Sequence, residues 1–191
     1  MESNMRKLKL QMQISLDGFV SAKYGGTFFN WDDEVRSFCI ENLADVDCIL
    51  LGSKTAENLI PYWAGVANNA EDPDYELGKR ITEIPKAVFS NNLKDSKWDN
   101  ASIVGGNIIT EINKLKNKRG NNILVYGGYS FASSLIKDGL VDEFNLLLNP
   151  VAVGDGEVII KDLNKNLLLT LKKYIPFACG TILLSYVERK K

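Results

Sequence analysis

The 191-residue sequence contains no histidine. That absence removes every mechanism that needs an imidazole base, the Ser-His-Asp triad among them, and the usual histidine-bearing zinc and non-haem iron sites. Long apolar runs are missing too. The longest are a few residues, far short of a membrane span, and Met1 to Lys9 lacks the apolar core of a signal peptide. Charge of one sign is not in excess, since 23 Lys and Arg face 24 Asp and Glu for a net charge of −1. The basic residues are dispersed apart from short groups such as Lys114, Lys116, Lys118 and Arg119, so neither a nucleic acid nor a membrane is expected as a partner. Cysteine is scarce: Cys39, Cys48 and Cys179 are widely spaced, odd in number and set among apolar neighbours. They are expected as reduced core residues, not as a disulfide or zinc framework, and the implied compartment is the cytoplasm. No metal site is expected, and chemistry falls to carboxylates, lysine, tyrosine, water or a bound cofactor.

What is present is a core. With 45% hydrophobic and 25% charged residues, the chain reads as one globular domain over residues 1–191. Apolar and polar residues alternate from Leu8 to Leu16, the pattern of a strand, which stops at Asp17-Gly18. Phe19 to Trp31 holds Gly25-Gly26 and five aromatic residues, and reads as a long loop that covers something. Asp32, Asp33 and Glu34 then open a helix with Val35, Phe38, Cys39, Leu43 and Val46 on one stripe. Cys48 to Leu51 is wholly apolar, as a strand covered on both faces would be, and runs through Gly52-Ser53-Lys54-Thr55 into a second helix. Pro61 to Tyr75, with Pro73 and Asn68-Asn69, reads as a loop or lid, followed by a short helix over Glu76 to Thr82.

Lys86 to Ser90 reads as a strand ending at Asn91-Asn92, and Ala101 to Val104 as a weak one. A helix with Ile108, Ile109, Ile112 and Leu115 inward ends near Gly120. Asn122 to Tyr126 is a short buried strand that breaks at Gly127-Gly128 and passes into a helix capped by Gly139. From Glu143 the pattern changes to strands over Phe144 to Leu148, Val158 to Ile160, Leu167 to Tyr174 and Thr181 to Val187. The order predicts an α/β fold, mostly parallel, with antiparallel C-terminal strands.

Ligands of such sheets sit outside the carboxyl ends of the strands. There Asp17-Gly18, Gly52 to Thr55, Ser90-Asn91 and Gly127-Gly128 would gather. The glycine pair is either a tight strand-to-helix turn or a phosphate seat, because backbone without Cβ and an open helix N-terminus suit an anion. Lys54 is either an exposed lysine or, with Ser90 and Asn91, part of a cationic, hydroxyl-rich phosphate pocket. The glycine spacing before Lys54 is not that of a Walker loop, and Gly127-Gly128 lacks the third glycine of a Rossmann fingerprint. Asp32 and Asp33 are either dipole-complementing residues or carboxylates facing a nitrogen heterocycle, and Asp17 is a turn residue or a ligand contact.

Six motifs in order resemble dihydrofolate reductase-like proteins: Ser15 to Phe19, Leu51 to Glu57, Val88 to Asn91, Val125 to Gly128, Gly139 to Phe144 and Pro150 to Gly154. The resemblance spans about Lys7 to Glu188 and is closest to the reductase domain of the bifunctional riboflavin-biosynthesis deaminase-reductase. It implies a dihydrofolate reductase-like fold that binds NADPH. Gly52, Ser53, Lys54 and Thr55 with Ser90 and Asn91 would hold the adenosine side and the 2′-phosphate. Gly127, Gly128, Tyr129, Ser130 and Phe131 would hold the pyrophosphate, and Gln13, Val20 and Ser21 would lie by the nicotinamide. Ser53 stands where the family usually has arginine, which leaves the 2′-phosphate charge to Lys54. The catalytic positions implied are Asp17, Asp32 and Asp33. The activity implied is hydride transfer to a C=N or C=O bond of a pteridine, pyrimidine or ribosylamino substrate, in a homodimer. A nucleotide-binding protein that kept the fold without turnover is the alternative.

Overall fold

The computed structural model describes residues 5–25 and 28–189. Gly26, in the aromatic loop, lies outside the described residues. In chain order the elements are strands β1 (Leu8–Ser15) and β2 (Phe19–Ala22), helix α1 (Asp33–Leu43), β3 (Val46–Gly52), α2 (Ser53–Ala67), α3 (Tyr75–Glu83), β4 (Lys86–Phe89) and β5 (Ala101–Val104). They continue with α4 (Ile108–Lys116), β6 (Asn122–Tyr126), α5 (Tyr129–Lys137), β7 (Glu143–Asn149), β8 (Gly156–Val158), β9 (Leu169–Pro176) and β10 (Ile182–Glu188). The described residues of Met1–Lys7 and Arg36–Gly128 form one unit, and those of Leu8–Val35 and Tyr129–Lys191 another.

The first unit is built on four parallel strands in the order β5-β4-β3-β6. Helices return the chain from β3 to β4 and from β5 to β6, residues 90–100 join β4 to β5 without one, and Ile49, Leu50, Leu51, Val88, Ile123, Leu124 and Val125 are fully buried, as in strands covered on both faces. The loop expected from Pro61 is shorter than its composition suggested, because α2 runs through Pro61 to Ala67. A proline inside a helix costs about 3 kcal/mol. Burial of Ala56, Trp63 and Val66 on one face of α2, against α3, offsets that cost. Only residues 68–74 remain a connection, pinned where Arg36 Nε donates to Asp74 at 2.5 Å. Two further expectations fail in detail. Val46 opens β3 and is not part of α1, and Ile109 of α4 is exposed while Ile112 is buried. Arg6 is buried and donates to Asp47 and to the carbonyls of Asn121 and Leu115, which ties the entering chain to this unit.

In the second unit β1 runs parallel to β7, β7 antiparallel to β10, and β10 antiparallel to β9. This is the change from parallel to antiparallel pairing that the sequence predicts after Glu143. Alternation along β1 does not mark a wet face, since Lys9 and Gln11 are as buried as the core requires at 8% and 7% exposure. Phe19–Ala22 is a strand, not loop, and pairs with β8, which begins at Gly156, two residues earlier than expected. A Cβ on Gly156 would fall 1.8 Å from the Ser21 carbonyl oxygen, so this approach needs glycine. Helix α5 closes in a Schellman motif, with Gly139 at φ +65° and N–H bonds from Gly139 to Ile136 O and from Leu140 to Leu135 O.

Candidate functional site

Within the first unit, parallel pairing puts the carboxyl ends of β3, β4 and β6 side by side. Gly52 is level with Phe89, and the register of Leu50 with Val125 carries Gly52 to Gly127. Gly52 to Thr55, Ser90-Asn91 and Gly127-Gly128 therefore come together, as their motifs imply. Gly127 and Gly128 sit at φ +78° and +82°, a conformation that side-chain-bearing residues rarely adopt. A Cβ on Gly127 would press on Thr55 Cγ2 at 3.2 Å, so this glycine also keeps β6 and α2 in close contact.

Helix α2 starts on Gly52 with no side-chain cap and no acidic residue in its first turn. Helix α5 also has no acid in its first turn, where Tyr129, Ser130 and Phe131 stand. By contrast α4 is capped by Asn107, whose Oδ1 accepts from Thr110 N–H at 3.0 Å, and α1 carries Asp33 and Glu34. The uncapped start of α2 keeps the positive field and free N–H groups an anion can use. Lys54 is exposed and has no ion pair among the described residues. Ser90 Oγ accepts from the N–H groups of Asn92 and Leu93, and Asn91 Oδ1 accepts from Gly106 N–H at 2.9 Å. A second glycine pair, Gly105-Gly106, thus adjoins the same strand ends. Its signal was the double glycine after Val104, hidden because β5 is short.

Within the second unit, Gln13 lies opposite Leu147 on β7, and its Oε1 accepts from Asn149 Nδ2 at 2.8 Å. Asn149 is fully buried. The same amide nitrogen reaches the carbonyls of Ile14 and Leu147, while its oxygen accepts from Asn30 N–H and Thr181 Oγ1. Composition could not expose this hub, since an asparagine before Pro150 reads as a turn residue. Val20 and Ser21 lie on β2, held by β8, and α5 also packs on β8.

The three carboxylates have defined surroundings. Asp17 accepts from Ser15 Oγ at 2.6 Å and from the N–H groups of Val153 and Gly154, and these bonds, led by that of Ser15, hold its pKa below the usual carboxylate value. It braces the loop after β7. Asp32 Oδ1 caps α1 at Val35 N–H at 2.8 Å, and its Oδ2 accepts from Cys179 N–H at 3.0 Å. The bond from Val35 leads in lowering its pKa. Asp33 follows in the first helical turn, and Glu34 accepts from Ala178 N–H. Cys39 and Cys48 are buried and Cys179 is half-buried, and none of the three is in a disulfide. No helix among the described residues is long and apolar enough to cross a membrane.

The residues present fit a dinucleotide. A bare-backbone turn, an uncapped helix start and an unpaired lysine with hydroxyl and amide neighbours match what pyrophosphate and a ribose phosphate need. Residues 6–183 match the family model of the RibD C-terminal domain. The uncharacterized protein YyaP of Bacillus subtilis (strain 168) is 33% identical over 184 residues, covering 95% of this chain and 94% of its own length. Among solved structures, the chain is similar to the diaminohydroxyphosphoribosylaminopyrimidine deaminase/5-amino-6-(5-phosphoribosylamino)uracil reductase of Thermotoga maritima. The TM-score is 0.69 at 14% identity over 97% of this chain and 57% of that one. It is also similar to dihydrofolate reductase from Enterococcus faecalis complexed with NADP(H), with TM-score 0.65, 12% identity, and coverage of 96% and 97%. These likenesses show the dihydrofolate reductase-like fold that the six motifs imply.

Proposed function

The chain belongs to the RibD C-terminal domain family, and from that premise we propose that it is an NADPH-dependent reductase. Its substrate is a small pteridine, pyrimidine or ribosylamino compound, as in the riboflavin-pathway type of reduction. The observation that carries this reading is the pair Gly127 and Gly128, both at positive φ beside the uncapped start of α2, in a chain matched by that family from 6 to 183. Bound NADPH supplies a hydride to a C=N or C=O carbon.

The chain's own residues bind, orient and exclude water. Lys54 and Thr55 with Ser90 and Asn91 take the adenosine side and its 2′-phosphate. Gly127 and Gly128 with the start of α5, Tyr129 to Phe131, take the pyrophosphate. Gln13, fixed by Asn149, and Val20 and Ser21, fixed by β8, take the nicotinamide side. Asp17 and Asp32 have lowered pKa values and are ionised at neutral pH, so they serve as anions that hold loops about the reacting groups. Asp33, in the first turn of α1, is the carboxylate assigned to a heterocycle nitrogen. The partner of this reading is a second copy of the chain.

Titration with NADPH and NADH, followed by nicotinamide fluorescence, tests it. The expected result is saturable binding with NADPH the tighter, and oxidation of NADPH with at least one pterin, pyrimidine or ribosylamino substrate. No binding of NADPH sinks the proposal, and binding without turnover across the panel favours a nucleotide-binding protein that does not catalyse.

A further inference from the structure

Lys86 is the first residue of β4, so its place in the first unit is at the strand end away from Ser90, about 13 Å distant at 3.3 Å per residue. It is 3% exposed, yet its ammonium makes one hydrogen bond, to Thr82 O at 2.5 Å, and no ion pair among the described residues. An ammonium carries three donors, and a buried one without a counter-charge is unusual. Thr82 Oγ1 is the one buried side-chain polar atom without a partner among the described residues. Both residues line a single cavity of about 250 Å³ whose other walls include Ile60, Trp63, Ile81 and Trp98.

Water alone answers part of this arrangement. It could meet the donors of Lys86, but a cavity walled by two indoles and branched aliphatic side chains gives water few partners. An apolar lining with a small number of convergent polar groups is the composition of a ligand pocket, here at fragment size. Besides Lys86, the charged residues that line the cavity among the described residues are Lys97 and Asp99. Lys97 is paired with Glu57 at 2.5 Å and stands 5.2 Å from the Trp98 ring centroid, and Asp99 is exposed. Lys86, buried and without an ion pair among the described residues, therefore shares a cavity with two indoles.

We propose that this cavity is a binding site for a small aromatic carboxylate, separate from the nucleotide-binding strand ends. The ring lies among Trp63, Trp98 and Ile81, and the carboxylate accepts from Lys86. The Thr82 hydroxyl turns to the same anion from the second of the two χ1 rotamers that threonine adopts in a helix. Burial lowers the Lys86 pKa to about 8, and a bound anion would restore it.

The three tryptophans, Trp31, Trp63 and Trp98, give an internal control in an NMR titration of the full chain with benzoate. The indole N–H signals of Trp63 and Trp98 should move saturably while that of Trp31 stays. Lys86→Met should weaken benzoate roughly tenfold or more, the loss of one charge-assisted hydrogen bond, and should leave uncharged benzyl alcohol nearly unaffected. Without any variant, benzoate affinity should fall as pH rises past about 8, because the Lys86 amine neutralises. Lys97→Met should not abolish that fall, which separates Lys86 from the other lysine that lines the cavity. Saturating NADPH should not displace benzoate, so this site and the reductase reading stand or fall separately. Unmoved signals of Trp63 and Trp98, equal losses for both probes in Lys86→Met, a pH-independent affinity, or displacement by NADPH would each overturn the proposal.

Discussion

In the proposed function a single exposed lysine, Lys54, carries the cofactor preference. Ser53 stands where the family usually has arginine, and Lys54 has no ion pair among the described residues, so its charge is available to a 2′-phosphate. Lys54→Ala should weaken NADPH by roughly tenfold or more, on the scale of one charge-assisted contact, and leave NADH nearly unchanged. Equal losses for the two nucleotides in parallel titrations would end that assignment. The place of Lys54 in the first turn of α2 was legible in the sequence because it follows a strand end and a glycine. Asn149 was not, since nothing in the neighbouring residues of an asparagine announces that Gln13, Asn30 and Thr181 will converge on it.

At the scale of elements, turn and loop anchors decide where side chains stand. Asp17 joins the turn after β1 to the loop after β7 through Val153 and Gly154. Replacing it by asparagine removes an acceptor from that pair. Amide exchange at Val153 and Gly154, corrected for intrinsic rates, should be faster in Asp17→Asn than in the wild type at neutral pH. The folded-state pKa is lowered from 3.8, so the bracing is complete above that value and is lost as pH falls through the lowered one. The two proteins should therefore converge in strong acid, and a difference that persists there would show the carboxylate is not the brace. Helix α2 teaches the complementary lesson. Pro61 and the polar residues after it signal a break, yet a buried Trp63 and Val66 one turn on keep the helix intact.

For the molecule as a whole, β9 ends the strand order of the second unit and pairs with β10 alone among the described strands. Five successive residues, Thr170 to Tyr174, are exposed, with Leu171 at 47% and Tyr174 at 67%. An edge of this kind invites pairing, and the flanking charge of Lys172 and Lys173 limits it to a specific partner. A homodimer through these strands is the expected assembly. Sedimentation equilibrium should return a dimer for the wild type and a monomer for a Leu171→Lys, Tyr174→Lys variant. A monomeric wild type, or a variant that stays dimeric, would rule out this interface.

The sequence by itself determined the fold class and the glycine turns at the strand ends, because both depend on short-range pattern. Apolar runs such as Ile49 to Leu51 must be buried, Gly127-Gly128 must turn, and motif order carries the family. Only the tertiary structure decided which polar residues are buried. Lys9 and Gln11 on β1, Asn149 at the end of β7 and Lys86 at the start of β4 look like surface residues in the chain. Whether a polar group is wet or enclosed depends on residues distant in sequence, and local periodicity holds no record of them. That is also why the Gly127-Gly128 turn was visible from the start, while the cavity around Lys86 and Thr82 was not.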